Sequence, residues 1–305
     1  SIHEPNINII ATNGISIGFK DGTYRPALPV TRGQMATFLT RALGLIPIVP
    51  PVPVPTTVYL FMDTLGDDPL GQGPFLVPVN RQIAETTMPA TATMWQLLAG
   101  PTSAEEASRP AIPDATELLG LAIFDGIATV DLSGAYASGG GSASMLGRVA
   151  QVVFTLTQYS TIDAVNFELD GAPIDVLGGE GIILDDYNTR EELFDQLPLV
   201  FVDRPSYRGQ ATNPMRIRGW TSAFEATFNV AIVDADGLIR TEQAVTAGGD
   251  QIVIPNGPVW TAFDVDVPYT VDAEQVGALI TWADSAKDGS PQGVREYPVS
   301  LVPAG

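Results

Sequence analysis

Apolar residues recur with two different periods along this 305-residue chain, and the change of period divides it. Near the N-terminus the spacing is helical. Met35, Phe38, Leu39, Ala42 and Leu43 fall at i, i+3, i+4, i+7 and i+8, one stripe of a helix that Gly44 ends. Thr31 is placed to cap it, with Gln34 three residues on as a capping box and Val30 and Met35 where a hydrophobic staple packs. Ahead of it, Pro5 suits a first helical turn, Ile7, Ile9, Ile10 and Ala11 supply apolar surface, and Asn13-Gly14 is a stop signal. Residues 1–46 therefore read as helix, turn-rich loop, helix.

Ile46 to Pro55 interleaves five prolines with Val and Ile and holds no charge. It predicts an extended, polyproline-type spacer of roughly 30 Å, taken as residues 47–56. A second module, 57–197, mixes periods. Val58–Met62 and Pro78–Glu85 read as strands, and Thr91–Leu98 as a short helix closed by Gly100-Pro101. Leu121–Phe124 and Ile127–Leu132 alternate around Asp125-Gly126, the pair a type I′ hairpin turn favours. From Ser142 a longer helix places Met145, Val149, Val152, Val153 and Leu156 on one face; a strand at Ala164–Leu169 and a Gly-rich loop at Gly178–Gly181 follow. That order predicts an α+β domain, its helices on one face of a mostly antiparallel sheet.

The third module, 198–305, is strands and turns. Leu199–Asp203, Met215–Trp220, Phe224–Asp234, Leu238–Thr246, Trp260–Val267, Leu279–Ser285 and Tyr297–Val302 make about seven, the count of an all-β, immunoglobulin-like sandwich. The chain as a whole is expected to be multidomain.

Three stretches resemble known families. Gly14-Ile15-Ser16-Ile17-Gly18, Asp21-Gly22-Thr23-Tyr24-Arg25-Pro26, Pro29-Val30-Thr31-Arg32-Gly33-Gln34-Met35-Ala36 and Arg41-Ala42-Leu43-Gly44-Leu45 resemble one S-layer homology repeat. That family commonly uses three repeats to hold secondary cell-wall polymers, the Arg of a Thr-Arg-Ala-Glu motif touching the glycan. The resemblance implies that Arg32, with Thr31 and Gln34, contacts wall polymer or a partner; here the motif is Thr-Arg-Gly-Gln and one repeat is present. Leu97-Leu98-Ala99-Gly100-Pro101, Val130-Asp131-Leu132-Ser133, the run from Gln151 to Gln158, Phe167-Glu168-Leu169-Asp170-Gly171 and Gly178–Gly181 resemble the GerMN domain of sporulation and germination proteins and of some actinobacterial lipoproteins. That family implies envelope-associated assembly rather than a known reaction. Phe224–Val230, Asp234-Ala235-Asp236-Gly237 and Ser285–Pro291 resemble the immunoglobulin-like Gmad2 domain, often found after GerMN.

Composition narrows the function classes. Hydrophobic residues make up 45% and charged residues 16%, a balance for packed domains. The net charge of −20 repels nucleic acid, and it is uneven: residues 1–45 carry +2 and the remainder −22. No run reaches the ~20 apolar residues of a membrane helix, so membrane insertion is not expected. With no Cys there is neither disulfide nor thiolate, which fits exported bacterial proteins. The first residue, Ser1, reads as the start of a processed or trimmed product.

Candidate chemistry is thin. Gly14-x-Ser16-x-Gly18 has the form of a hydrolase elbow, but its histidine base would have to be His3, ahead of the serine and in a frayed terminus, so a chance match is favoured. One His and no Cys leave zinc only carboxylates. Asp234-x-Asp236-Gly237 begins like a calcium loop but lacks the closing Glu, which favours a hairpin turn. Asp67-Asp68 and Asp185-Asp186 read as solvated acidic pairs, and Gly178-Gly179-Glu180-Gly181 as a tight turn rather than an anion nest. No cofactor or catalytic residue is expected.

The expectation is therefore a non-catalytic, extracellular cell-surface or wall-associated structural protein whose modules self-associate or scaffold the envelope. Its partners would be other copies, envelope proteins and cell-wall polysaccharide. Two short helices bury too little apolar surface to be stable alone, so Met35, Phe38, Leu39 and Leu43 are expected to form an assembly contact. The rival readings are a monomeric wall-anchored adhesin or ligand-binding protein held by its S-layer homology repeat, and an uncharacterised hydrolase.

Overall fold

The computed structural model describes residues 9–10, 30, 32–43, 53–63, 73–105, 108–179, 181–184, 187–255 and 257–304. The chain divides into two compact units, Ser1–Val52 and Pro53–Gly305. In the first unit Ile9 and Ile10 are helical, and helix α1 runs Arg32–Ala42. Its stripe faces outward: Met35, Leu39 and Leu43 are 48, 51 and 66% exposed, and Phe38 is half-buried. The cap Thr31, the segment 44–52, His3, Gly14–Gly18, Asp67-Asp68, Glu180 and Asp185-Asp186 lie outside the described residues.

The second unit opens with an antiparallel pair, β1 (Pro53–Met62) and β2 (Phe75–Ala84), in register from Pro53 opposite Ala84 to Met62 opposite Phe75. β1 begins five residues before the strand expected from Val58. Its prolines are tolerated for a geometric reason. The N–H groups of Thr57 and Tyr59 point away from β2, to Gln158 and Thr155, and Pro53 and Pro55 share that parity, so neither removes a ladder bond.

Helix α2 (Pro89–Leu98) starts with proline in its first turn and buries Ala90, Thr93, Met94 and Leu97. Strands β3 (Leu118–Phe124) and β4 (Ile127–Leu132) meet at Asp125-Gly126 with φ of 50° and 80°, the two positive values of a type I′ turn. Helix α3 (Ser142–Leu156) buries Met145, Val149, Val152, Val153 and Leu156, the face its period predicts. It then crosses to β5 (Ala164–Leu169), which pairs parallel to β4, followed by the short β6 (Ala172–Pro173). The sheet order is β3-β4-β5-β6, separate from the β1-β2 pair. One sheet was expected; the β1-β2 pair is separate, because the outer edge of β1 is taken by side chains of α3 and of the turn that follows it instead of by a strand. Gln151 donates to Tyr59 O (3.0 Å), Thr155 accepts from Tyr59 N–H (3.1 Å), and Gln158 accepts from Thr57 N–H (3.1 Å). A hairpin of β7 (Val176–Leu177) and β8 (Ile182–Ile183) completes this part.

Residues 198–304 form two four-stranded antiparallel sheets. One has order β13-β14-β10-β9, made of β9 (Val200–Arg204), β10 (Met215–Thr221), β13 (Gln251–Val253) and β14 (Val259–Val267). The other has order β12-β11-β15-β16, made of β11 (Thr227–Val233), β12 (Ile239–Thr246), β15 (Gln275–Asp284) and β16 (Pro291–Leu301). Their inner faces meet, with the rings of Phe228 and Phe263 4.7 Å apart. Three-residue β13 was not expected, and β16 starts at Pro291 rather than Tyr297. On the edge strand β16 the N–H of Ser300 faces outward to Gly209, so Pro298, of the same parity, again removes no ladder bond.

Candidate functional site

A polar cluster lies where residues 57–197 meet residues 198–304. β1 supplies Thr57 and Tyr59, the end of α3 Phe154 and Thr157, the 3-10 turn Glu191–Gln196 follows Arg190, and β9 supplies Asp203 and Arg204. The Arg190 guanidinium sits 4.7 Å from the Phe154 ring centre and 5.3 Å from that of Tyr59. Its Nε donates to Thr157 Oγ1 (2.7 Å), and its Nη2 to Phe154 O (3.0 Å) and Tyr59 Oη (3.3 Å). Nη1 stands 3.6 Å from Asp203 Oδ1, which also accepts the Tyr59 hydroxyl; Arg204 donates to Thr57 Oγ1.

Burial pushes the Tyr59 hydroxyl well above its usual range, with Arg190 opposing and Asp203 reinforcing the shift. Burial also works against the Arg190 cation, but Tyr59 and Asp203 outweigh it and hold the guanidinium above its usual range. A cation and a neutral phenol that keep their protons near neutral pH, joined through Asp203, make a lock between elements, not an acid-base pair.

Packing and backbone bonds extend this joint. Phe154 meets Phe201 edge-on at 5.8 Å, and Phe194, from the 3-10 turn, lies 5.2 Å from Trp220 and 5.4 Å from Trp260. Tyr207 exchanges bonds with Pro78 O (2.7 Å) and the Asn80 N–H (2.9 Å) on β2. The next residues bond β16: Arg208 N–H to Pro298 O (2.6 Å) and Ala211 N–H to Ser300 O (2.9 Å). One loop therefore laces both halves, which share a single hydrophobic core.

Elsewhere charges are spent inside the protein. Arg81 and Glu105 form a buried pair at 2.6 Å, and Glu105 also accepts the Thr102 N–H. Buried Arg148 donates to the carbonyls of Tyr136, Ser138 and Gly139. Asp234 accepts the N–H groups of Asp236 and Leu238, each at 2.9 Å, and pairs with Arg240. These amides and Arg240 hold its carboxyl below the usual range, so the turn uses the oxygens a calcium ion would need. Among the described residues no three His, Asp or Glu side chains cluster to hold a metal. Two clefts, one lined by Asp63, Tyr207 and Glu296 and one by Leu97, Pro101 and Ile112, have about 20 Å³ each, room for roughly a single water.

Of the residues singled out from sequence, Met35, Leu39 and Leu43 share an exposed flank of α1, with Phe38 half-buried beside them. Arg32 opens the helix and Gln34 lies in its first turn; their side chains, like Thr31, are outside the described residues. Sequence reasoning missed Tyr59, Arg190 and Asp203. A signal was present: residues 57–197 hold twenty acidic residues and four arginines, net −16, so each arginine there is conspicuous.

The folded body therefore defines a multidomain, mostly β protein built on an interlocked pair of modules. Three family models then match in series: the S-layer homology domain over residues 1–36, the sporulation and spore germination (GerMN) domain over 57–175, and the immunoglobulin-like domain of bacterial spore germination (Gmad2) over 199–290. The chain thus has the architecture S-layer homology, GerMN, Gmad2. All three are non-catalytic domain types, and together they mark a cell-envelope-associated protein. Among solved structures, the first GerMN domain of the sporulation protein GerM from Bacillus subtilis is 23% identical, covering 45% of this chain and 98% of its own, with a TM-score of 0.37. A putative lipoprotein from Clostridium perfringens is 22% identical over 46% of this chain and 89% of its own, TM-score 0.32. The tandem GerMN domains of GerM are 15% identical over 83% of this chain and 62% of their own, TM-score 0.38. No curated protein matches the chain.

Proposed function

We propose that this protein is a non-catalytic cell-surface scaffold in which a helical S-layer homology module, residues 1–46, joins an interlocked GerMN and immunoglobulin-like body to neighbouring copies or other envelope proteins. The observation that carries the reading is the exposed stripe of α1. Met35, Leu39 and Leu43 are half to two-thirds exposed beside Phe38, on a helix too short to be stable without a partner surface. Arg32, Thr31 and Gln34, at the start of the same helix, are the proposed contacts to wall polysaccharide or to the partner. The connecting segment is shorter than the expected 47–56, since Pro53 to Thr56 belong to β1; residues 47–52 link the module to the body.

Self-association works against net charge. At −20 the copies repel, so it strengthens with added salt and on approach to the sequence pI of about 4.1. Light scattering on the full chain and on a variant lacking residues 1–52, which keeps β1 whole, tests the reading. The full chain is expected to be oligomeric and the variant a folded monomer. A monomeric full chain that co-sediments with isolated cell wall would instead favour the adhesin.

A further inference from the structure

The free strand edges of the second unit are mostly closed. Side chains of α3 cover β1, the segment 208–211 bonds β16, β6 ends on Pro173, and β12 carries exposed Arg240 and Glu242. β3 has none of these devices. Its seven residues, Leu-Leu-Gly-Leu-Ala-Ile-Phe, hold no charge and no proline, and among the described residues no strand pairs with its outer edge. Leu119, Ile123 and Phe124 are 50, 45 and 84% exposed. An apolar strand of about 23 Å with unpaired N–H and C=O groups is a template for one more strand.

Charge selects the occupant. Glu117 and Asp125 frame β3 at its two ends, both exposed, and Asp163 adjoins the turn through its bond to Gly126 O (2.7 Å). On the outer face Gly120 is opposite Asp131, and Asp131 is opposite Glu168. Gly120 has no side chain to screen that row, so its nearest carboxylate lies about 10 Å, two strand spacings, from an added strand, within reach of a lysine or arginine. A second copy fits badly. Two β3 strands in full antiparallel register, centred on Leu121, would put Glu117 opposite Asp125 of the other copy at both ends, between domains each of net −16.

We propose that β3 is the docking edge for an extended, positively charged segment of a partner protein, added antiparallel as a fifth strand of the sheet β3-β4-β5-β6. Main-chain hydrogen bonds supply the attachment, and the acidic frame selects basic residues at the ends of the incoming strand. The proposal rests on the scaffold reading, but its test does not depend on oligomeric state.

The probe is a synthetic peptide, Lys-Thr-Val-Thr-Val-Thr-Val-Thr-Lys, against the same peptide with Glu at both ends, added to the full chain and followed by fluorescence anisotropy and amide hydrogen exchange. The Lys-ended peptide is expected to bind at least tenfold more tightly, to slow exchange at alternate amides of β3, and to lose most of that advantage in 0.5 M salt. The double variant Glu117→Gln with Asp125→Asn, whose Asn-Gly pair still suits the turn, is expected to bring the two peptides within about threefold while keeping β3 protected. Equal binding of both peptides to the parent, protection on any other strand, or protection of β3 that rises with protein concentration alone would each overturn the proposal, the last in favour of a second copy.

Discussion

Replacing Arg190 by Met tests whether the two β-rich modules are held as one body. Methionine keeps an apolar stem against the Phe154 and Tyr59 rings but removes the cation and its donors. Three hydrogen bonds and the 3.6 Å pair with Asp203 disappear, leaving that carboxylate the Tyr59 hydroxyl. Breaking a fully buried pair costs about 3–5 kcal/mol; with 23 and 24% of the two side chains still exposed, the loss here is about 2–3 kcal/mol. For a unit of this size that lowers Tm by roughly 5–10 °C. Scanning calorimetry of the full chain is the assay, with Asp203→Asn and the double variant closing a cycle whose coupling should reach about 1 kcal/mol or more. The parent should melt residues 53–305 in one transition. A Tm change under about 2 °C, or two separated transitions in the parent, would refute the interlocked joint.

Two further perturbations probe the core. Tyr59, Tyr136 and Tyr297 are held above the usual range, in each case first by burial. The unfolded chain ionises them near pH 10 and the folded chain does not, so stability present below about pH 10 falls as pH rises past it; Tyr59→Phe should flatten the drop in urea midpoint between pH 9 and 11. A Cβ at Gly219, in the β10 bulge, would lie 1.8 Å from Phe201 O and 2.8 Å from the Phe263 ring. Gly219→Ala should therefore cost about 3 kcal/mol or more by urea titration, and a near-neutral result would show that β9 and β10 can separate freely.

What could be read from sequence follows from which signals are local. The α3 face and the Asp125-Gly126 turn depend on neighbouring residues, and both stand in the structure where the pattern puts them. Pairing partners are not local: nothing in the residues of β4 or β5 announces that the two run parallel. Prolines misled at Pro53 and Pro55, because strand positions whose N–H faces away from the ladder accept proline, and that parity is invisible until the partner strand is known. The scarcity of arginine marked Arg190, but its place in the joint could not be read, for a similar reason. Arg190 stands beside acidic residues and reads as a solvated charge; its aromatic platform comes from positions 36 and 131 residues away. The α1 stripe was legible as a stripe, and Met35, Leu39 and Leu43 stand exposed on the helix.

The central claim is that this exposed stripe joins copies of an envelope scaffold or joins it to neighbours. Multi-angle light scattering of the parent and of Phe38→Asp across a salt series tests it most directly. The account predicts a parent whose mass rises above the 32.2 kDa of one chain as salt is added, and a variant that stays at one chain throughout. A parent that remains at one chain at every salt concentration, or a variant that associates equally well, would contradict it.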